Sequence, residues 1–148
     1  MSDAVRDTIV VAADLDTVFE VVSDVERYPD WQDEILEVEV LERDEAGRAS
    51  RVWFRIDAKV FKATYTLAYD YDVRDGERVM SWDLVEGDQL RELSGVYHLT
   101  DQGDGSTDVA YELTVTPAIR LPGMVRRQAA RRIIDGALGG VKRRAEAA

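Results

Sequence analysis

From residue 35 to residue 116 the chain repeats one pattern: a strand-like run, then a corner built from Gly and Asp. Runs at 35–41, 51–58, 61–73, 79–85, 90–100 and 107–116 are separated by Asp44-Glu45-Ala46-Gly47, Lys59, Asp75-Gly76, Gly87-Asp88 and Gly103-Asp104-Gly105. Such spacing predicts an antiparallel meander, because Gly and Asp supply the backbone angles that tight hairpins need. A further strand is expected at 8–11. Asp14 or Asp16 is placed to cap a helix after it, since a carboxylate accepts the free N–H groups of a first turn. Val18, Phe19, Val22 and Val25 recur there at helical spacing. Tyr28-Pro29-Asp30-Trp31 ends that block, because the residue before a proline is disfavoured from continuing a helix.

A linker at 117–122 leads to a last helix starting near Pro122 or Gly123. Ala130, Ile133, Ile134, Ala137, Leu138, Val141 and Ala145 form its apolar stripe. Gly136, Gly139 and Gly140 fall off that stripe and predict a bend or mobility, at about 1 kcal/mol each relative to Ala. No repeat or low-complexity segment interrupts the pattern, so residues 1–148 are expected to form a single domain.

Composition narrows the function classes. Net charge is −11, which disfavours DNA and general nucleic-acid binding, where Lys and Arg neutralise phosphates. There is no cysteine, which removes disulfides, thiolate catalysis and the usual zinc sites. No apolar run approaches the ~18 residues of a transmembrane segment. The start MSDAVRDTIVV lacks a basic region followed by an apolar one, so no signal peptide is expected and the cytoplasm is the default location. Arg126, Arg127, Arg131, Arg132, Lys142, Arg143 and Arg144 make the last helix basic. It either rests on the acidic body or offers a protein or ribosome contact through Arg132 and Arg143, and the first reading is preferred.

Side chains alternate faces along a strand. The more apolar set contains Val52, Phe54, Ile56; Phe61, Tyr65, Leu67, Tyr69, Tyr71; Met80, Trp82, Leu84; Arg91, Leu93, Tyr97, Leu99; and Val109, Tyr111, Leu113, Val115. Five of the six tyrosines fall on this inward face. A sealed core favours Phe and Leu, because an unpartnered buried phenol costs about 1–3 kcal/mol. Five phenols and Trp82 together predict a cavity wetted by a few hydroxyls; the alternative is that the phenols reach water at the sheet rim. Arg91 is the one charged inward candidate, and it sits at a strand start from which it can also extend to water.

The acids Asp57, Asp70, Asp72, Asp83, Asp108 and Glu112 have outward parity, as does His98, the one histidine. The inward face therefore has no evident general base, and no Ser/His/Asp arrangement is credible. HExxH, GxxxxGK[ST] and GxGxxG are absent. Asp70-Tyr71-Asp72-Val73-Arg74-Asp75-Gly76 begins like a calcium loop but carries Arg74 at the third ligand position, so it reads as a hairpin. No metal, cofactor or catalytic residue is expected from these patterns.

The stretch VFEVVSDVERYPDW, the strand holding Trp82, Ser94-Gly95-Val96-Tyr97-His98-Leu99, Gly105-Ser106-Thr107 and the closing helix resemble the START-like superfamily. The closest likeness is to its polyketide cyclase/dehydrase and coenzyme-Q-binding branch. The resemblance covers nearly the whole chain and is more specific for fold than for function. It implies an α+β helix-grip fold: a curved seven-stranded antiparallel sheet around a long C-terminal helix, with short helices after strand 1 and a cavity between sheet and helix. The ligand-binding set expected on this basis is Phe54, Tyr65, Leu67, Tyr69, Tyr71, Trp82, Arg91, Tyr97, Tyr111, Leu113, Ile134 and Leu138. Tyr28, Pro29 and Trp31 are expected to form a lid or end wall, a hydrophobic staple, or both.

Three functions compete at this point. The first is binding or transport of a hydrophobic small molecule such as a lipid, quinone, isoprenoid or polyketide. The second is a cyclase or dehydratase that holds a flexible chain in one folded shape; it ranks lower for want of an acid/base pair. The third is a protein- or ribosome-interaction module using the basic helix.

Overall fold

The computed structural model describes residues 4–59 and 62–148. β1 (Ala4–Val11) leads into α1 (Leu15–Ser23), a 3₁₀ turn at Val25–Arg27 and the single-turn α2 (Tyr28–Trp31). There follow β2 (Ile35–Arg43), β3 (Ala49–Asp57), β4 (Lys62–Arg74), β5 (Glu77–Asp88), β6 (Leu90–Asp101) and β7 (Thr107–Pro117), and α3 (Gly123–Ala147) ends the fold. Phe61, expected on the inward face, lies outside the described residues.

The strands form one antiparallel sheet in the order β1-β7-β6-β5-β4-β3-β2. β1 and β2 therefore sit at opposite edges, and α1 and α2 carry the chain between them. α3 lies against β1, β7, α1 and α2. The helix-grip expectation is met: a curved sheet holds a long terminal helix, and the core lies between them. The start of α1 is fixed by Asp14, whose carboxylate accepts the Thr17 N–H at 2.8 Å, satisfying one of the donors a first turn leaves free.

Four expectations need correction. First, Tyr28 is helical (φ −52°, ψ −41°) although it precedes a proline. The chain breaks at Asp24 instead, and Pro29 falls in the first turn of α2, where its missing N–H needs no partner. Burial of the Tyr28 ring and its hydrogen bond to the Val22 carbonyl hold it there.

Second, Arg91 is exposed, and Leu90 takes the inward position. The β6–β7 register slips between Leu90 and Glu92. A bulge of this kind breaks the two-residue alternation, so parity counted back from Leu93 assigns Arg91 to the wrong face.

Third, α3 runs unbroken through its glycines. Gly140 is buried on the packed face, where a β-carbon would meet the Trp31 ring at 2.3 Å and the Trp31 carbonyl oxygen at 2.7 Å. One turn earlier, a β-carbon at Gly136 would lie 2.9 Å from Glu34 Oε2. These two glycines are points of close approach to α2 and the start of β2, and the helix continues through both.

Fourth, Tyr71 lies at the edge of the ring cluster. It is half-buried, its hydroxyl donates to the Ala49 carbonyl at 2.6 Å, and its ring meets Phe19 edge-on.

The basic helix is in good part balanced within the chain. Arg131 bridges Asp7 at 2.8 Å, and Lys142 pairs with Glu146 at 2.6 Å. Glu146 also accepts the Ala12 N–H at 2.8 Å, pinning the end of α3 to the end of β1. Arg132 and Arg143 point to solvent, as the stripe predicts. On the outer face of the sheet His98 pairs with Glu77, and Asp70, Asp83 and Glu112 are exposed. No helix of the described residues is long and apolar enough to cross a membrane.

Candidate functional site

Register brings the aromatic side chains together. Phe54 faces Tyr65 across β3–β4, Tyr69 faces Trp82 across β4–β5, and Tyr97 faces Tyr111 across β6–β7. Directly opposed residues on one face of a sheet are within reach of each other. The rings run on without a break: Phe54–Tyr65 at 5.3 Å, Tyr69–Trp82 at 5.8 Å, Trp82–Tyr111 at 5.5 Å, and Tyr97–Tyr111 edge-on at 4.5 Å between centroids. Gly95 makes this possible. It stands between Trp82 and Leu113 in register, and a β-carbon there would meet the Trp82 ring at 2.5 Å and the Glu112 carbonyl oxygen at 2.8 Å. The indole lies in the space a side chain would fill, and from there it reaches both Tyr97 and Tyr111.

These rings border a cavity under α3. Of the expected site, Phe54, Tyr65, Leu67, Tyr69, Trp82, Tyr97, Tyr111 and Leu113 line it, together with Tyr28 from α2. Tyr71, Arg91, Ile134, Leu138, Pro29 and Trp31 do not. Ile134 and Leu138 are buried, but α3 sends Ile133 to the cavity in their place. Tyr28 is a wall that stacks toward Phe54 at 6.4 Å, whereas Trp31 is a clasp between α2 and α3, seated on Gly140. Within Tyr28–Trp31, then, Tyr28 lines the cavity and Trp31 packs against α3.

The volume is modest. About 50 Å³ is open to the centre of a water molecule, enough for a few waters at roughly 10–15 Å³ each. In this closed form the rings nearly fill their own chamber.

The polar content of the walls decides what the chamber can do. The hydroxyls of Tyr65, Tyr69, Tyr97 and Tyr111 have no hydrogen-bond partner among the described residues, yet none is sealed from water. Tyr28 differs, being spent on the Val22 carbonyl. Desolvation pushes the phenols of Tyr65, Tyr69, Tyr97 and Tyr111 well above the ordinary tyrosine range. At neutral pH all four are uncharged groups that can donate or accept, and none is a base. Their burial, with Tyr97 at 2% exposure, decides between the sheet rim and the interior in favour of the interior.

Sequence reasoning missed two polar residues at one end of the chamber. Gln32 is 4% exposed and Glu34 contributes a buried carboxylate oxygen, and both line the cavity. They flank the exposed Asp33, and nothing in a short polar run between α2 and β2 distinguishes these two from it. Among the described residues no group of three or more His, Asp or Glu side chains is placed to hold a metal ion.

A family model described as polyketide cyclase/dehydrase and lipid transport matches residues 11–142. The chain belongs to this family. Among solved structures, a START superfamily protein from Mycobacterium smegmatis is similar at 26% identity, with a TM-score of 0.85 and 97% of each chain covered. The Zhui aromatase/cyclase from Streptomyces sp. R1128 shares the fold at 22% identity and TM-score 0.80, covering 99% of this chain and 94% of that one. Human STARD10 shares it at 11% identity and TM-score 0.79, covering 96% of this chain and 62% of that one. A search of curated protein sequences gives no match. Membership of the polyketide cyclase/dehydrase and lipid transport family agrees with the helix-grip resemblance read from the sequence. It brings a hydrophobic small molecule into consideration, bound or converted, without naming it.

Proposed function

We propose that this protein binds a hydrophobic, ring-bearing small molecule in the chamber between sheet and α3 and carries or presents it. The observation behind this reading is the set of four phenol hydroxyls, buried among apolar rings and unpartnered by protein among the described residues. Water reaches these hydroxyls in the closed chamber, and a ligand with carbonyl or hydroxyl oxygens would take its place as their partner. Flat rings from three strand pairs favour a flat ligand over a flexible chain.

Ligand pockets are commonly about 300–1,000 Å³, so the closed chamber has to widen on binding. The element over the cavity is α3, which borders it through Ile133, and widening would have to displace the packed Ala129, Ala130 and Ile134 or the ring side chains of the sheet. Opening draws on binding energy and lowers affinity in proportion to how rarely the open form is populated.

The test pairs binding with a filled chamber. Native mass spectrometry of the purified chain, or titration with a panel of apolar ring compounds, is expected to reveal a saturable one-to-one complex. Val115→Phe puts a phenyl ring into the remaining space and is expected to reduce affinity about tenfold or more. Binding unchanged in Val115→Phe, or no binding by any member of the panel, would count against the proposal. The cyclase reading draws on the same four donors, which suit the carbonyl oxygens of a folded chain. Ring closure of a poly-carbonyl substrate on incubation with the protein would favour it over carriage.

A further inference from the structure

We infer that Glu34 is the specificity determinant of the chamber: it selects ligands that present a neutral hydroxyl to the Gln32–Glu34 end and rejects those ending in a carboxylate or phosphate. The inference rests on the binding function proposed above and names the chemical class that function would serve.

The argument begins with placement. Glu34 immediately precedes β2, and its backbone carbonyl accepts the Asp57 N–H at 2.8 Å, which fixes the residue to the end of β3. Its side chain turns under α3 and rests on Gly136, where Oε2 occupies the space a β-carbon would need. Any larger residue at 136 would push the carboxylate out. Glu34 is the one charged residue among those lining the cavity. Its Oε2 is buried and has no hydrogen-bond partner among the described residues. Other carboxylates of the chain behave differently: Glu37, Glu42, Asp7 and Glu146 each pair with a cation at the surface.

A carboxylate oxygen held this way has a definite preference. It only accepts, so the ligand atom beside it has to donate. An alcohol or phenol does so through its O–H. A second anion at the same place meets like-charge repulsion. Gln32, two residues earlier in the chain and 4% exposed, also lines the cavity, and its amide is a second group that can donate to a ligand oxygen. The other lining residues are phenols, aromatic rings and aliphatic side chains such as Leu67, Leu93 and Leu113, so the body of the ligand is apolar and its polar head sits at the Glu34 carboxylate. Sterol-like and polyphenol-like molecules fit this description. Fatty acids and phospholipids do not.

Three probes with one ring body separate the possibilities: naphthalene, 2-naphthol and 2-naphthoate, titrated calorimetrically into the full chain at neutral pH. Wild type is expected to bind 2-naphthol about tenfold or more tightly than 2-naphthoate. In Glu34→Gln the side chain keeps its shape and gains a donor, so the ratio is expected to fall toward unity, mainly through tighter naphthoate binding. Equal affinities in wild type, or a ratio unmoved by Glu34→Gln, overturn the assignment. Because any apolar chamber disfavours a carboxylate, the assignment is read from the change in ratio, and Glu34→Leu serves as a second variant should Glu34→Gln fail to fold: a ratio unmoved in it also overturns the assignment. Naphthalene distinguishes the two layers of the argument. If it binds while the two headed probes bind equally, Glu34 has no such role and the chamber remains a binding site. If none of the three binds, both readings fall.

Discussion

Replacing Gly139 and Gly140 by alanine, one at a time, is expected to change stability in opposite directions. Both lie inside α3, where alanine is favoured over glycine by about 0.5–1 kcal/mol. At Gly139 an added β-carbon would meet the tip of Arg143 at 3.2 Å, a flexible end that moves aside at little cost. Gly139→Ala should therefore gain most of the intrinsic preference. At Gly140 the same carbon would stand 2.3 Å from the Trp31 ring and 2.7 Å from the Trp31 carbonyl oxygen. Backbone cannot step aside, so α3 and α2 have to separate, and overpacking of this kind costs about 1–3 kcal/mol. The steric term exceeds the propensity term. Thermal unfolding should show Gly139→Ala melting above wild type and Gly140→Ala below it, at roughly 2–4 °C per kcal/mol for a chain of this size. Two shifts of the same sign would mean that Trp31 is not seated against α3.

Gly95→Ala is expected to damage both stability and binding. The new carbon would sit 2.5 Å from the Trp82 ring and 2.8 Å from the Glu112 carbonyl oxygen. The oxygen belongs to the β6–β7 ladder and is held in place, so the indole has to yield. Its ring neighbours are Tyr69, Tyr97 and Tyr111, so yielding moves it into the space a ligand would use. The expected cost is about 1–3 kcal/mol of stability together with a loss of about tenfold or more in affinity for an apolar ring compound. Chemical denaturation gives the first quantity and titration the second. A variant as stable as wild type, with its tryptophan emission unshifted, would place the indole elsewhere.

Most of the fold was legible because its signals are local. Gly and Asp marked the corners at Gly47, Asp75-Gly76 and Gly103-Asp104-Gly105, whereas Gly87-Asp88 lies inside β5 and that corner falls at Gln89; two-residue alternation sorted Phe54, Tyr65, Tyr69, Trp82, Tyr97 and Tyr111 onto the face they occupy. A capping carboxylate at Asp14 or Asp16 needed only the rule that carboxylates satisfy first-turn N–H groups, and the structure selects Asp14. The misses share a different cause. Arg91 was misplaced by a slip in pairing with β7, and pairing depends on the partner strand. Ile134 and Leu138 were taken for cavity residues in place of Ile133 because periodicity identifies the buried stripe of α3 and not which part of it borders empty space. Tyr71 has the right parity but lies too far along β4. Gly136 and Gly140 read as weak points in a helix because their partners, Glu34 and Trp31, are about a hundred positions away in sequence. Glu34 and Gln32 carried no signal at all. A polar residue in a short connection looks solvated until the helix that covers it is in place.

The central claim is that apolar rings enter the chamber between sheet and α3 and meet the phenols there. Nuclear Overhauser contacts between bound naphthalene and the protein test it most directly. The account predicts contacts from the naphthalene protons to the rings of Tyr97, Tyr111 and Trp82, and to the methyl groups of Ile133. Saturable binding whose contacts fall only on the outer surface of α3, with none to those rings, would contradict it.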